Sequence, residues 1–154
     1  MRIGLLILLS SGAIAGVATP AQAAQPARAA CHIALRAEAD TQSFADAGRD
    51  ATPARTTQMT QATGTAFASA ANHLCASGVV RPANFTRYTR LLVRNAEGAA
   101  EPNIYDDAEE QAGALIIEFA FTDGGAPAQA RIETALRCWR NPQGAGCSAE
   151  DMGP

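Results

Sequence analysis

Residues 52–78, TPARTTQMTQATGTAFASAANHLCASG, are the stretch that decides the fold. Thr52 is a favourable N-cap, and Pro53 suits the first helical turn because its missing N–H needs no partner there. Gly78 can adopt the left-handed conformation that ends many helices. One helix is therefore predicted over residues 53–77. The residues predicted to face the core recur at helical spacing and are Met59, Phe67 and Leu74.

The middle of this helix is intrinsically weak. Gly64 and several threonines have lower helix propensity than the alanines around them. We therefore expect that packing of the apolar stripe, rather than local propensity, holds these residues in a helix.

Three other segments show the alternation of apolar and polar residues that is typical of a half-buried β-strand. They are residues 31–39, 85–95 and 114–122. Between the last two lie residues 96–111, which carry six acidic residues and little apolar content. That composition predicts an exposed loop rather than a further strand.

Residues 128–139 fit two structures. As a helix, the segment places Ile132, Leu136 and Trp139 on one stripe. As a strand, it alternates apolar residues with charged ones. The glycine-containing turns before and after the segment favour the strand.

These elements predict an α+β fold in which one long helix packs on a four-stranded antiparallel sheet, in the order β-α-β-β-β. Such a layer arrangement buries the apolar faces of both the sheet and the helix. A strand over residues 31–39 climbs about 26 Å, and a helix over residues 53–75 descends about 33 Å. The helix should therefore return Cys75 to the start of the strand, beside Cys31.

The cysteine spacing indicates disulfides rather than a metal site. The four cysteines are separated by 44, 63 and 9 positions, without the close pairs that zinc ligands need. An even set in an oxidising compartment leaves three connectivities open. The strand and helix geometry favours Cys31–Cys75, which leaves Cys138–Cys147 to close a tight C-terminal loop.

The first 23 residues have the layout of a secretory signal peptide. A positive start at Arg2 is followed by an uncharged apolar run over residues 3–17, and Ala21 and Ala23 suit a signal peptidase. The run is shorter than the roughly 20 residues that span a bilayer. We therefore expect residues 1–23 to be removed and residues 24–154 to form one secreted or periplasmic domain without a membrane span.

Composition narrows the classes of partner. The alanine-rich chain has twelve arginines and no lysine, a bias associated with bacterial GC-rich genomes. Removal of Arg2 leaves eleven arginines against fifteen acidic residues, so the charge of the exported form is 11 − 15 = −4. A chain of that charge has no bulk attraction for nucleic acid, and nucleic-acid binding is not expected.

Strand parity predicts a basic surface on the sheet face away from the helix. Arginine forks suit carboxylate, phosphate or sulfate groups, so this face is the predicted binding surface. The alternative is that cross-strand Arg–Glu pairs only keep an open face soluble. Three acidic residues share the face, which gives a predicted local charge of 5 − 3 = +2. The predicted binding residues are Arg36, Arg90, Arg94, Arg131, Arg137 and Tyr88.

No catalytic, cofactor or metal-binding motif is recognisable. His32 and His73 have no Ser, Asp or Glu at a spacing that suggests a catalytic triad. The acidic run over residues 106–110 lacks the alternate spacing of a calcium loop, so a solvated loop is the preferred interpretation.

The sequence therefore predicts a small disulfide-stabilised binding or accessory module, inhibitor-like and without catalytic activity, in the bacterial envelope. Its expected partner is an envelope protein or an anionic ligand. Two alternatives stay open. One is a small secreted hydrolase that uses the acidic loop over residues 106–110, and the other is a structural protein of envelope assembly.

Overall fold

The computed structural model describes residues 31–45, 51–99, 101–121 and 125–147, which build one four-stranded sheet and three α-helices. The strands are β1 (Arg36–Ala39), β2 (Arg90–Asn95), β3 (Asn103–Tyr105) and β4 (Ala114–Phe119). The helices are α1 (Thr41–Ala45), α2 (Pro53–Ala76) and α3 (Gln129–Arg140). A single turn of 3-10 helix, Pro82–Asn84, lies between α2 and β2. The predicted signal peptide, residues 1–23, lies outside the described residues.

The sheet is mixed, in the order β1-β2-β4-β3, so the predicted antiparallel sheet is wrong. β1 pairs in parallel with β2, and β2 pairs in parallel with β4; only β3 and β4 are antiparallel. For β1 and β2 the reason lies in α2, which carries the chain back to the end of the sheet where β1 began. The next strand therefore starts at that end and runs parallel to β1, as in other crossover connections.

The single-helix prediction is also wrong, because a second long helix, α3 (Gln129–Arg140), stands where a strand was favoured over residues 128–139. Ile132 and Leu136 are fully buried, and α3 packs against α2 and β3. The apolar stripe on two helical turns thus outweighs the turn signals on either side. The fourth strand of the sheet is β3, which lies within the segment predicted to be an exposed loop.

Helix α2 follows its sequence signals closely. The Thr52 hydroxyl accepts a hydrogen bond from the Arg55 N–H at 3.3 Å, which caps the first turn. The helix ends before Gly78, whose φ of +81° is strained for a residue with a Cβ. The three predicted core residues are all buried: Met59, Phe67 and Leu74.

Both predicted disulfides are present. Cys31–Cys75 joins the segment leading into β1 to the last turn of α2, and Cys138–Cys147 closes the loop after α3. Among the helices that the structure describes, none is long and apolar enough to cross a bilayer.

The two faces of the sheet differ in chemistry. The face toward α2 and α3 carries the main core, with Leu91, Val93, Leu115 and Ile117 fully buried. The opposite face carries only a small apolar cluster flanked by charged side chains. This cluster contains Leu92, Ala114 and Ile116.

Candidate functional site

The structure brings together three of the five arginines of the predicted basic face. Ion pairs and hydrogen bonds place Arg36, Arg90 and Arg94 on the sheet face away from the helices. The other two, Arg131 and Arg137, belong to α3 in the helical layer. Tyr88 is buried in the core on the helix side, where its ring lies 6.2 Å from that of Trp139.

The three arginines on this open face are already paired. The Nε atoms of Arg36 and Arg90 lie 3.4 Å and 3.8 Å from the Glu38 carboxylate. Arg94 donates to Asp40 at 2.9 Å. With Glu118, the described charges of this face sum to 3 − 3 = 0, so the predicted local charge of +2 is wrong. Cross-strand pairing, the alternative interpretation of this surface, accounts for the Arg90 and Arg94 contacts, whereas Arg36 and Glu38 pair within β1.

Tyr105 of β3 links β4 and β2 at one end of the open face. Its hydroxyl donates to Glu118 at 2.8 Å and accepts from Arg94 at 3.0 Å. Burial, and then the hydrogen bond to the Glu118 carboxylate, raise the pKa of Tyr105 to about 12. The phenol is therefore neutral at physiological pH and acts as a structural donor.

The acidic run over residues 106–110 is engaged in local contacts. Asp106 forms an ion pair with Arg87 at 2.8 Å. The Asp107 carboxylate accepts hydrogen bonds from the backbone N–H groups of Glu109 and Glu110. Within the described ranges, no three His, Cys, Asp or Glu side chains gather closely enough to hold a metal ion.

The two helices of the main layer are joined by a polar contact. His73 Nδ1 of α2 lies 2.9 Å from the Glu133 carboxylate of α3, and Gln129 donates to the same oxygen. The hydrogen bond from Gln129, and then that from His73, lower the pKa of Glu133. This contact between α2 and α3 lies at the protein surface.

The outer edge of β1 has backbone groups that no described residue pairs. The Asp40 N–H donates to Val93 of β2 at 2.8 Å. Because backbone groups alternate in direction along a strand, Glu38 also turns toward β2, and Ala37 and Ala39 turn their N–H and C=O groups outward. β1 therefore presents a strand edge that can accept another strand.

Asn72 of α2 shows how these outward groups can be satisfied. Its side-chain amide accepts from the Ile33 N–H at 2.8 Å and donates to the Ile33 C=O at 3.1 Å. Ile33 has the same parity as Leu35, Ala37 and Ala39, so the amide takes the place of a neighbouring strand at that residue. The edge is closed there, beside the Cys31–Cys75 disulfide, and is open from Leu35 onward.

A groove runs along this open edge, between β1 and α2, and is called here the β1 groove. Its part next to α1 is a cavity of about 500 Å³ whose lining includes Phe44, Ala51 and Pro53. Its other part has a volume of about 720 Å³. The two parts share Ala37 and Gln61, so they form one continuous depression.

The floor of the β1 groove is formed where α2 passes under β1. A Cβ atom on Gly64 would lie only 2.6 Å from the Cβ of Ala37, so the helix backbone lies directly against the strand. Around this contact the lining on α2 has mostly short, uncharged side chains, such as Thr60, Thr65 and Ala68. This arrangement exposes strand backbone above a surface of short side chains, with space for one further strand.

Comparisons with protein-family models, with curated proteins and with solved structures found no match. The geometry of the described residues is therefore what any functional assignment depends on. The β1 groove was not predicted from the sequence, because whether β1 lies at an edge depends on the pairing of distant strands. The local signal was the short side chains at Thr60, Gly64, Thr65 and Ala68 of α2, which leave room beside the strand.

Proposed function

We propose that this protein is a secreted or periplasmic binding module without catalytic activity, and that it holds an extended segment of a partner along the β1 groove. One observation carries the proposal: the outward N–H and C=O groups of Ala37 and Ala39 lie above a groove that has room for a strand. Added strands bind through such backbone groups, and side-chain pockets supply the specificity.

The contacts of the arginines on the open face favour the β1 groove, rather than those arginines, as the binding site. A guanidinium that already has a carboxylate partner must give up that partner, or share it, to bind an anion. Arg94 is the clearest case, because Asp40 and Tyr105 both contact it. The backbone edge of β1 has no such competing partner among the described residues.

The two disulfides fit a protein that works outside the cytoplasm, where such bonds persist. Cys31–Cys75 fixes the start of the β1 segment to α2, so both walls of the groove are held together. A preorganised groove binds an extended segment at lower entropic cost than a flexible one. No observation favours the hydrolase alternative, since Asp106 and Asp107 are engaged in local contacts.

A selection with displayed random peptides tests the proposal. Peptides enriched on the oxidised protein are measured against Gln61→Arg, which places a bulky cation in the β1 groove. The matched control is Gln58→Arg, an exposed residue one turn earlier on α2 and outside the groove lining. A third variant, Arg90→Ala, tests the open face.

The proposal predicts that Gln61→Arg weakens binding of the enriched peptides at least tenfold, while Gln58→Arg and Arg90→Ala bind normally. The single tryptophan, Trp139, reports by fluorescence that each variant is folded. The proposal is wrong if no peptide is enriched, or if Arg90→Ala abolishes binding and Gln61→Arg does not.

A further inference from the structure

The chemistry of the partner can be inferred from the same groove, and this inference rests on the proposed function. We propose that the β1 groove takes an extended, uncharged segment of another protein, which adds to β1 as a fifth strand. The segment has small side chains over Gly64 and one larger apolar side chain at the end next to α1.

The length of the segment follows from the backbone groups that are open. Leu35, Ala37 and Ala39 have outward parity, whereas the outward groups of Ile33 are already bonded to Asn72. From Leu35 to Ala39 the edge is about 13 Å long at 3.3 Å per residue. The added strand therefore has about five residues in contact with β1.

A second copy of this chain does not fit the same edge. In a dimer built by pairing β1 with β1, the two strands would lie about 4.8 Å apart. Each α2 lies directly beneath its own β1 at Gly64, so the two helices would be forced far inside the about 8–10 Å that packed helices need. A single strand without a helix of its own has no such clash, which favours a peptide segment over a second copy as the occupant.

The described lining of the groove is almost uncharged where the added strand would lie. Glu38 is the one charged residue among the described residues lining the two cavities, and its carboxylate faces Arg36 and Arg90 on the other side of the sheet. A charged side chain buried in this groove would lose water without gaining an opposite charge. The groove therefore selects uncharged side chains.

The shape of the groove sets side-chain size along the segment. Near Gly64, α2 lies against β1 and the groove is shallow. Only a small side chain of the added strand therefore fits above α2 there. Next to α1, the aromatic ring of Phe44 and the side chains of Ala51 and Pro53 border the cavity of about 500 Å³. That end has room for an aliphatic side chain such as leucine.

A designed peptide tests this chemistry directly. The probe is the capped, fluorescently labelled peptide SLTATAS, whose leucine and two alanines share one face of a strand. The same peptide reversed, SATATLS, tests the opposite strand direction. We expect one of the two to bind the oxidised protein more tightly than the other, as measured by fluorescence anisotropy.

N-methylation of single peptide amides then tests strand addition. In an added strand, only alternate N–H groups point at β1, so methylation at alternate residues should weaken binding about tenfold. Methylation at the residues between them should change binding less than twofold. Replacing the middle alanine by aspartate, or by tryptophan, should each weaken binding about tenfold or more.

A variant of the protein tests the same hydrogen bonds from the other side. Ala37→Pro removes an outward N–H that takes no part in pairing with β2, and proline is tolerated at such edge positions. It should weaken binding of the better peptide about tenfold. Gln61→Arg, which leaves the strand unchanged, should do the same by occupying the groove.

The outcomes separate this inference from the proposed function. If selected peptides bind in a manner sensitive to Gln61→Arg but carry charged residues, or show no alternation on methylation, the groove is a binding site and the partner chemistry inferred here is wrong. If neither the designed nor the selected peptides respond to Gln61→Arg, both proposals fail.

Discussion

At the scale of single residues, the hydroxyl of Thr63 is a buried polar group without a hydrogen-bond partner in the described structure. We expect Thr63→Val to raise the free energy of unfolding by about 1 kcal/mol, because valine has the same shape and removes the desolvated hydroxyl. Urea denaturation measures the change. Thr60→Val is the matched control, since the Thr60 hydroxyl bonds to the Thr56 carbonyl at 2.8 Å. An equal gain in both variants would contradict this account.

Tyr105 gives a second test at this scale. The chain has two tyrosines, and Tyr88→Phe leaves Tyr105 as the single phenol. Its ultraviolet titration should give a pKa of about 12 in the folded protein, against about 10 in urea. Glu118→Gln should lower the folded value, because it removes the negative charge that opposes the phenolate, while burial keeps it above 10.

The raised pKa of Tyr105 also determines how the stability of the protein changes with pH. Since folding raises this pKa, the contribution of Tyr105 to stability is complete below about pH 10 and is lost as the pH rises through the folded value of about 12. A titration midpoint near pH 10 in the folded protein would show that the phenol is not buried beside Glu118.

At the scale of elements, the contact between α2 and β1 depends on the absence of a side chain at position 64. Gly64→Ala should gain about 1 kcal/mol of helix propensity but lose about 1–3 kcal/mol by overpacking against Ala37. We therefore expect a net loss of stability. In a double-mutant cycle, Ala37→Gly should restore much of it. A stabilising Gly64→Ala would show that the helix can move away from the strand.

The helices and strands differ in how well the sequence predicts them. Helix α2 was predicted within one residue at its C-terminal end, because its caps and apolar stripe are local signals. Strand direction is not local, and the antiparallel prediction failed for that reason. Residues 128–139 were misassigned because the flanking turns, which favour a strand, are a weaker signal than the apolar stripe that α3 buries. β3 has three residues, too few for a periodic pattern to be visible.

The candidate site was predictable only in part. Parity correctly grouped Arg36, Arg90 and Arg94, since it needs nothing beyond the strands themselves. It misplaced Arg131 and Arg137 together with the element that carries them. The β1 groove depends on which strand lies at the edge and on where α2 crosses it, and neither is encoded in a short stretch of sequence.

At the scale of the whole molecule, the two disulfides should contribute unequally to stability. Loop-closure entropy gives about 4 kcal/mol for Cys31–Cys75 and about 3 kcal/mol for Cys138–Cys147, which close loops with sequence separations of 44 and 9. Chemical denaturation of the paired Cys→Ala variants measures both losses. A larger loss for Cys138–Cys147 would mean that the C-terminal loop, rather than the strand–helix junction, limits stability.

The predicted export of the chain is tested on the whole molecule as well. Expression of the full sequence in a bacterial host should yield an envelope form that begins near Ala24, since Ala21 and Ala23 suit signal peptidase. Intact mass and N-terminal sequencing of the envelope fraction identify the start. Recovery of the uncleaved precursor as the soluble form would overturn the predicted localisation.

The Cys31–Cys75 bond has a consequence for the order in which the chain folds. Along the backbone, the paired residues Arg36 and Arg90 are 54 positions apart. Through the disulfide the path is only 5 + 15 = 20 positions. The entropic free-energy cost of closing the shorter loop is about 0.9 kcal/mol lower. This difference corresponds to a search for the β1–β2 pairing that is about four times faster. Oxidation of this one pair early in folding thus acts as a kinetic guide for a parallel pairing that an unlinked chain would find slowly.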